Sequence, residues 1–230
     1  MEATGIIFTA LDVDHDDLES WNRWYDLEHL PPNVAMPEIA GGCRYVAPPE
    51  LHELRLPADP HPGFEAGKGV FVTVYLTAVD PGDAIAAMTV FRDELEAAGR
   101  MDGAGRRTVR TGDAMDLRWV MGDPALRLDD RDVPHLGHTG IRVVLRRGGD
   151  DDARVAAASA VAVDGVHGVL SCASRFFPGL DLDLYLVSGP TGATTERVRA
   201  AAPYPDDVDV VLDAPFDGIT PLDYGFVERI

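Results

Sequence analysis

Residues 18–32, LESWNRWYDLEHLPP, combine aromatic, acidic and histidine side chains, which are the residue types best suited to acid–base chemistry. On a helix, residues three and four apart share a face, so Trp21, Tyr25 and His29 form one stripe with Asp26 just beyond it. Histidine titrates near neutral pH and can move protons there. The C-terminal end of a helix and a nearby carboxylate both favour imidazolium. We therefore expect His29 to act as a general acid/base beside an aromatic wall.

The neighbours of His29 suggest supporting roles. Tyr25 is expected to hydrogen-bond a substrate oxygen, and Arg44, on the following strand, to hold a carboxylate or an enolate. Asp26 or Glu28 is expected to orient His29. The alternative is structural, with the aromatic side chains in the core and His29 capping the helix. The further candidates, all for substrate binding, are Trp21, Trp24, Asn22, Glu28, Tyr75, Trp119, His167 and Arg175.

These residues must be positioned by helices and strands, and the same order of elements is predicted twice. Apolar alternation predicts strands, whereas capping residues and prolines mark the helix ends. Asp16 or Asp17 is expected to begin the first helix, and Pro31 and Pro32 to end it near Leu30. The first half is predicted to have strands at 5–11, 41–46, 70–76 and 115–120, and a second helix from 81 to about 99. The second half is predicted to have strands at 141–145, 169–177, 180–187 and 208–212, and helices at 151–163 and 191–202.

The repeated order strand, helix, strand, strand, helix, strand is the ferredoxin-like pattern. A sheet with helices on one face needs cover on the other, and two such sheets can cover each other. We therefore predict an α+β fold in which two tandem ferredoxin-like repeats form an intrachain, pseudo-dimeric α/β barrel around a small-molecule pocket. The predicted division is 1–122 for the first repeat, 123–136 for a linker and 137–230 for the diverged second repeat. The polar face formed by Asp181, Asp183 and Tyr185 would line the pocket or face solvent.

Composition narrows the possible partners and the compartment. The chain has 230 residues with 39 acidic and 20 basic side chains, a net charge of -19. So negative a surface repels nucleic acid and anionic lipid. No apolar run is long enough to cross a bilayer and no export signal is evident, so we expect a cytoplasmic protein. Cys43 and Cys172 are expected to be reduced, although a disulfide between them stays open. The His135/His138 pair lies in the linker and is not expected to bind metal.

The segment WNRWYDLEHLPP, followed by MPEIAGGCRYVAP, resembles the W-x-x-W-Y-D-x-E-H-L-P … P-G-F … x-R-Y segment of dimeric α/β-barrel proteins. It is most similar to the EthD-like group. The resemblance covers residues 5–46 well and the rest of the first half by element order only. The sequence departs from the pattern at residues 36–39, where the usual P-G-F is replaced, and the second half lacks the motif.

The resemblance implies a ferredoxin-like fold with His29 near a pocket mouth. It implies a cofactor-independent enzyme of the cyclase, dehydratase or isomerase type that acts on an aromatic or polyketide-like molecule. Two alternatives stay open: a haem- or oxygen-using enzyme of the same fold, or a non-catalytic small-molecule-binding protein. Because shorter relatives close the barrel by dimerisation, a fused chain is expected to be a monomer or a loose homodimer. No metal is expected, and haem is the alternative to having no cofactor.

Overall fold

Eight antiparallel strands form a closed barrel in the computed structural model, which describes residues 2–230. Around the barrel the strands follow the order β1-β3-β2-β8-β5-β7-β6-β4, and every neighbouring pair is antiparallel. The fold is therefore α+β, as predicted, with a closed eight-stranded barrel. The strands are Gly5–Val13 (β1), Ile39–Val46 (β2), Phe71–Thr77 (β3), Arg107–Gly122 (β4), Gly140–Arg147 (β5), Val166–Ser174 (β6), Leu180–Val187 (β7) and Asp209–Gly218 (β8).

Most helices pack on the outer face of the barrel, since their buried side chains join clusters that are separate from the barrel interior. The short helix that carries Leu51 instead contributes that side chain to the interior cluster. Asp80 caps α4 by accepting hydrogen bonds from the backbone N–H groups of Gly82 and Asp83, and Pro81 takes the first helical position. The helices are Leu18–Trp24 (α1), Leu30–Val34 (α2), Pro49–His52 (α3), Pro81–Ala97 (α4), Asp150–Ala160 (α5) and Thr191–Ala201 (α6). Short 3-10 turns span His15–Asp17, Asp102–Arg106, Pro124–Leu126, Asp130–His135 and Val227–Arg229.

Pro31 and Pro32 do not end the first helix as predicted. A π-helical turn, Tyr25–His29, follows α1 and is hydrogen-bonded from the Leu30 N–H to the Tyr25 carbonyl. This turn restarts the helix, so both prolines fall in the first turn of α2, where a missing N–H costs little. The helical path therefore continues to Val34. A π turn contains one residue more than an α-helical turn, so it changes which side chains share a face from Tyr25 onward. Such turns are frequent at functional sites.

The barrel interior is filled by its own side chains. One apolar cluster takes residues from all eight strands, with Phe8, Leu184 and Phe216 among its most buried members. Eight-stranded barrels are just wide enough for side chains to fill. Among the described residues this cluster fills the space between the two sheets, and the cavity that reaches it beside the exposed Cys43 measures only about 30 Å³. The expectation of a substrate-sized pocket enclosed between the two sheets is therefore wrong. Val133, in the predicted linker, is 1% exposed and belongs to this interior cluster.

The polar face of β7 is neither pocket lining nor solvated. Asp181, Asp183 and Tyr185 are all buried on the helix side of the sheet. Arg146 bonds both carboxylates, at 3.1 Å to Asp181 and 2.7 Å to Asp183. Tyr204 donates a second hydrogen bond to Asp183. The aspartates are buried because a fully buried guanidinium pairs with them, which alternation along one strand cannot reveal.

The two halves of the barrel meet at two unequal seams. Between β4 and β6, seven residue pairs are in register, from Met115↔Ser174 to Gly122↔Gly168. Between β2 and β8 only Tyr45↔Gly218 and Val46↔Asp217 pair. The edge of β2 before Tyr45 is thus not paired with β8, so these two residue pairs alone close the barrel and the second seam is open beside them.

Candidate active site

The predicted catalytic segment lies on the outer, helix-covered face of the sheet. Trp21 is fully buried and packs on Phe71 and Tyr25, with ring centroids 5.3 and 5.1 Å apart. The Tyr25 hydroxyl lies 3.1 Å from Thr73 Oγ1 and 3.2 Å from the Tyr75 hydroxyl. The structure thus brings Trp21, Tyr25 and Tyr75 together. Their surroundings are a packed core layer between α1 and the sheet.

His29 is enclosed by rings. It stacks on Trp24 at 4.8 Å and meets Tyr25 edge-on at 4.7 Å, while its Nδ1 is buried without a hydrogen-bond partner among residues 2–230. Burial, with Arg107 and then Arg44 nearby, lowers the pKa of His29 to about 3. The imidazole is therefore neutral at physiological pH. The expectation that the helix end and a carboxylate favour imidazolium is wrong, because desolvation and two cations outweigh the helix dipole.

Asp26 is fully engaged away from His29. Its Oδ1 pairs with Arg44, and its Oδ2 accepts bonds from the Leu222 N–H at 3.0 Å and the Tyr224 hydroxyl at 2.8 Å. Arg44 also donates to Asn22 Oδ1, and its guanidinium lies 4.2 Å from the centre of the Tyr25 ring. This buried network anchors the C-terminal residues to α1 and β2. It leaves Asp26 without a contact that would orient His29.

The remaining predicted residues are scattered. Glu28 is exposed, and Trp24 Nε1 donates to the Arg100 carbonyl at 3.1 Å. Trp119 lies under α5 in the second half, with Nε1 3.3 Å from Asp150 Oδ1. Arg175 is tied to Asp80 and Asp116, so it joins the second half to the first. His167 is half-buried at the bulge near the start of β6. None of these five residues lines the cavity of about 300 Å³ that lies beside the β2–β8 seam.

A prediction follows from the neutral state of His29. The unfolded chain binds a proton below pH 6.5, whereas the folded chain does so only near pH 3, so stability falls as pH drops through this window. One such group contributes a slope of up to about 1.4 kcal/mol per pH unit. We expect His29→Gln to reduce the slope of unfolding free energy against pH, measured by urea denaturation between pH 6.5 and 4. An unchanged slope would mean that His29 titrates normally in the folded protein.

The open seam holds a cavity of about 300 Å³, which we call the seam pocket. A volume of this size is at the lower end of small-molecule sites. It is lined by Asp26, Leu30, residues 42–45, His138, Thr139 and residues 218–221. Of the predicted catalytic residues, Asp26 and Arg44 line it, whereas Tyr25 and His29 do not.

Tyr45 and His138 form a hydrogen-bonded pair in the seam pocket. The Tyr45 hydroxyl lies 2.6 Å from His138 Nε2, and His138 Nδ1 lies 2.8 Å from the Leu136 carbonyl oxygen. A carbonyl only accepts, so Nδ1 carries the proton and Nε2 accepts from Tyr45. Burial lowers the pKa of His138 and raises the pKa of Tyr45 well above its usual range. Both groups are therefore neutral at pH 7, and His138 Nε2 accepts the tyrosine hydrogen bond.

Sequence reasoning missed this pair. His138 was weighed only as a metal ligand with His135, and Tyr45 only as part of a motif. The two residues are 93 positions apart and meet only because β2 and β8 close the barrel. A weak signal was present in the alternation of β2, which places Cys43 and Tyr45 on the face opposite Arg44.

Metal ligation and disulfide formation have no support in the described chain. Within residues 2–230, no group of three or more His, Cys, Asp or Glu side chains is placed to hold a metal ion. Cys43 and Cys172 are both free thiols. No helix in the same part of the chain is long and apolar enough to span a membrane.

Comparison with solved structures identifies chains of the same fold at very low sequence identity. A protein assigned as a chlorite dismutase superposes with a TM-score of 0.56 at 10% identity, with 99% of each chain covered. A dye-decolorizing protein from V. cholerae gives 0.50 at 12% identity, covering 99% of this chain and 97% of its own. A protein assigned as a monooxygenase from Lactobacillus acidophilus NCFM gives 0.50 at 8% identity, covering 95% and 99%.

These three chains share the fold of the present chain over nearly their whole length. No protein-family model matches the sequence, and no curated protein matches it. At these identities the likeness concerns the fold and does not carry over an activity.

Proposed function

We propose that this chain is a small-molecule oxidoreductase that removes a proton from a phenolic or enolisable substrate in the seam pocket and lets the resulting anion react with dioxygen. The observation that carries the proposal is the Tyr45–His138 pair, which lines both the seam pocket and the 30 Å³ cavity inside the barrel. A substrate on one side and dioxygen on the other would meet at the same proton-transfer pair.

The proton path follows from the hydrogen bonds. A substrate hydroxyl that donates to the Tyr45 oxygen would pass its proton there while the tyrosine proton moves to His138 Nε2. The Leu136 carbonyl stabilises the imidazolium through Nδ1–H. The tyrosine O–H then donates to the new substrate oxyanion, which is how a placed donor stabilises developing charge. This transfer needs no ionised group in the resting protein.

The inner cavity favours dioxygen as the second reactant. Most of its lining is apolar, with Val74, Leu76, Leu170 and Leu184 among the lining residues. Its polar side chains are the exposed Cys43 thiol and the pair in which Tyr45 donates to His138 and His138 to the Leu136 carbonyl. A water needs two to four polar partners and about 10–15 Å³, whereas apolar cavities stay dry and take up apolar gases. A space of about 30 Å³ matches a diatomic molecule.

The overall reaction balances without another reductant. The two C–H bonds of a methylene flanked by activating groups supply four electrons and two protons. Dioxygen takes up all four electrons, one oxygen atom becoming the substrate carbonyl and the other leaving as water. Three structural neighbours are named as a monooxygenase, a chlorite dismutase and a dye-decolorizing protein. These names belong to oxidative chemistry, so they favour an oxygen-using enzyme over a cyclase. A cyclase, dehydratase or isomerase would use the same deprotonation but consume no oxygen.

His29 and His138 do not fit a haem axial ligand as they stand. An axial ligand must present a free nitrogen to a flat slot, but His29 has Trp24 stacked on its ring and a buried Nδ1. His138 uses both nitrogens in hydrogen bonds, and the seam pocket it lines is only about 300 Å³. We therefore derive no step through haem.

The test is oxygen uptake by the purified chain with a panel of anthrones, naphthols and β-diketones. We expect oxygen consumption in step with loss of substrate, without added metal or haem. Product formation in the absence of oxygen would instead identify a lyase or isomerase. A Soret band together with a gain of activity on adding hemin would establish the haem alternative, and ligand binding without turnover would identify a binding protein.

Filling the inner cavity should weaken the use of oxygen. Val74→Ile adds one methylene to a cavity-lining side chain, so we expect KM for oxygen to rise several-fold with KM for the organic substrate unchanged. Xenon should bind the unaltered protein, as seen by ¹²⁹Xe NMR, and bind the variant less.

The matched control for cavity filling is Val72→Ile, since Val72 lies on the same face of β3 in the interior cluster but does not line the cavity. Equal effects of the two variants, or no xenon binding, would remove the cavity from the proposal.

We also propose that the two halves are tandem ferredoxin-like repeats, 1–122 and 137–230, joined through 123–136. The strand registers support this. A bulge falls after Ala10 in β1 and after Leu145 in β5, each five positions beyond the first strand residue, Gly5 or Gly140. A second bulge follows Ile39 in β2 and Val166 in β6, at matching places against β3 and β7. Since one chain closes the barrel, a monomer is sufficient for the site. The EthD-like resemblance of residues 18–46 belongs to the same proposal.

A further inference from the structure

A second cleft, the Arg142 cleft, lies at the base of α6 on the outer face of the barrel and has a volume of about 430 Å³. Its walls are apolar, formed by Leu56, Pro57, Pro203 and Val210. The loop that carries Leu56 is fixed in place, since its backbone exchanges two hydrogen bonds with Asp213, at 3.0 and 2.7 Å. The cleft shares no lining residue with the seam pocket.

The floor of this cleft carries an excess positive charge. Arg142 bonds Asp213 through Nε and Nη2, both at 2.8 Å, and Arg199 bonds the same carboxylate through Nε at 2.8 Å. Arg199 Nη2 also donates to the Asp213 carbonyl at 3.0 Å. One carboxylate thus compensates two guanidinium groups. This local excess of positive charge contrasts with the protein as a whole, whose net charge is -19.

Arg142 has an unused donor at this site. Its side chain is 2% exposed, and Nη1 is buried without a hydrogen-bond partner among the described residues. A buried charged donor left unpaired costs free energy, so it calls for a missing partner. Arg146, four residues along the same strand and equally buried, has all three nitrogens bonded to protein groups. Arg55 Nε and Arg107 Nη1 are also buried without a partner among the described residues, but neither of these side chains lines the cleft, whereas Arg142 does.

We propose that the Arg142 cleft binds a small carboxylate with an apolar body, whose oxygens accept hydrogen bonds from Arg142 Nη1 and from Arg199. Guanidinium groups match carboxylates in geometry as well as charge, and apolar walls around a few placed polar groups are typical of ligand sites. The cleft volume suits a molecule of one ring or a short chain. This inference does not depend on the proposed function of the seam pocket.

The test is calorimetric titration of the full chain with phenylacetate, compared with the uncharged isostere phenylacetamide. We expect the carboxylate to bind at least about tenfold more tightly, because loss of one charge-assisted hydrogen bond is worth about that factor. Equal affinity for the two probes, or no binding of phenylacetate at millimolar concentration, would overturn the proposal and leave a buried water as the partner of Arg142.

Two variants locate the binding in the cleft. Arg199→Gln should weaken phenylacetate binding about tenfold, whereas Arg197→Gln, on the same helix but bonded to Asp164 and Thr194, should leave it unchanged. Leu56→Glu places a carboxylate on a rim position that is 51% exposed, so it should repel the probe without loss of stability. Unchanged phenylacetate affinity in both Arg199→Gln and Leu56→Glu would place the carboxylate elsewhere.

Discussion

Tyr45→Phe should lower kcat for oxygen-dependent turnover by about 10²- to 10⁴-fold, the range by which a placed proton-transfer group contributes. The substitution removes only the hydroxyl that bonds His138, while the ring keeps its place in the interior cluster. His138→Gln should cause a similar loss, because the terminal base disappears. Oxygen uptake and product formation, measured with folded protein confirmed by circular dichroism, check both variants.

His29→Gln separates the two possible sites. If the seam pocket is the active site, this variant should keep kcat within a few-fold of the unaltered protein, since His29 does not line the pocket. Tyr75→Phe should behave likewise, because its hydroxyl contacts Tyr25 on the helix side. The reverse pattern, with loss in His29→Gln and retention in Tyr45→Phe, would return the chemistry to the motif on α1.

The pH profile gives an independent check on the base. Because burial lowers the pKa of His138, its neutral form persists below pH 6.5, and the acid limb of kcat/KM should lie below that value. Activity should be flat between pH 7 and 8, where the pKa of Tyr45, raised by burial, leaves it protonated. Residual activity of His138→Gln should lack the acid limb. An acid limb at pH 6.5 or above would mean that another group is the base.

The order of the strands and of the longer helices was predicted well from the sequence, whereas the Tyr45–His138 pair was not. The β7 strand was predicted with its observed bounds, Leu180–Val187, because apolar and polar residues alternate there without interruption. Residues 18–32 were predicted to carry catalytic and substrate-binding side chains. Their role was harder to read, since alternation shows which residues share a face but not whether that face meets a helix or the barrel interior.

Long-range pairing explains what local patterns missed. The gap between β2 and β8 depends on two strands that are far apart in the chain, and the Tyr45–His138 pair forms only across it. The buried pair of Asp183 and Arg146 shows the same limit of local patterns. Either charged side chain alone would be expected at the surface, and only the pairing makes its burial favourable. The π-helical turn before Pro31 also depends on tertiary packing, since Trp24, Tyr25 and His29 stack only in that geometry.

Asp26→Asn should lower the free energy of unfolding by about 3–5 kcal/mol, because it leaves the buried Arg44 guanidinium without its countercharge. In a chain of this length, that corresponds to a fall in Tm of about 10 °C. The substitution also weakens the bonds that hold Leu222 and Tyr224, so the C-terminal residues should exchange amide hydrogens faster. Calorimetry and hydrogen exchange measure the two effects. The matched control is Asp93→Asn, whose partner Arg92 is exposed, and its Tm should not change measurably.

A double-mutant cycle that combines Asp26→Asn with Arg44→Met measures whether the two side chains stabilise the fold together, as an ion pair, or independently of each other. Removing both charges avoids an unpaired buried ion, so the double variant should be more stable than the sum of the two single losses implies. Strict additivity would mean that Asp26 stabilises the fold mainly through Leu222 and Tyr224. Tyr224→Phe tests that second route, because it removes only one hydrogen bond to Asp26, worth about 1 kcal/mol. A coupled pair would show that the acidic residue of the WYD motif stabilises the fold through Arg44, leaving proton transfer to Tyr45 and His138 across the seam.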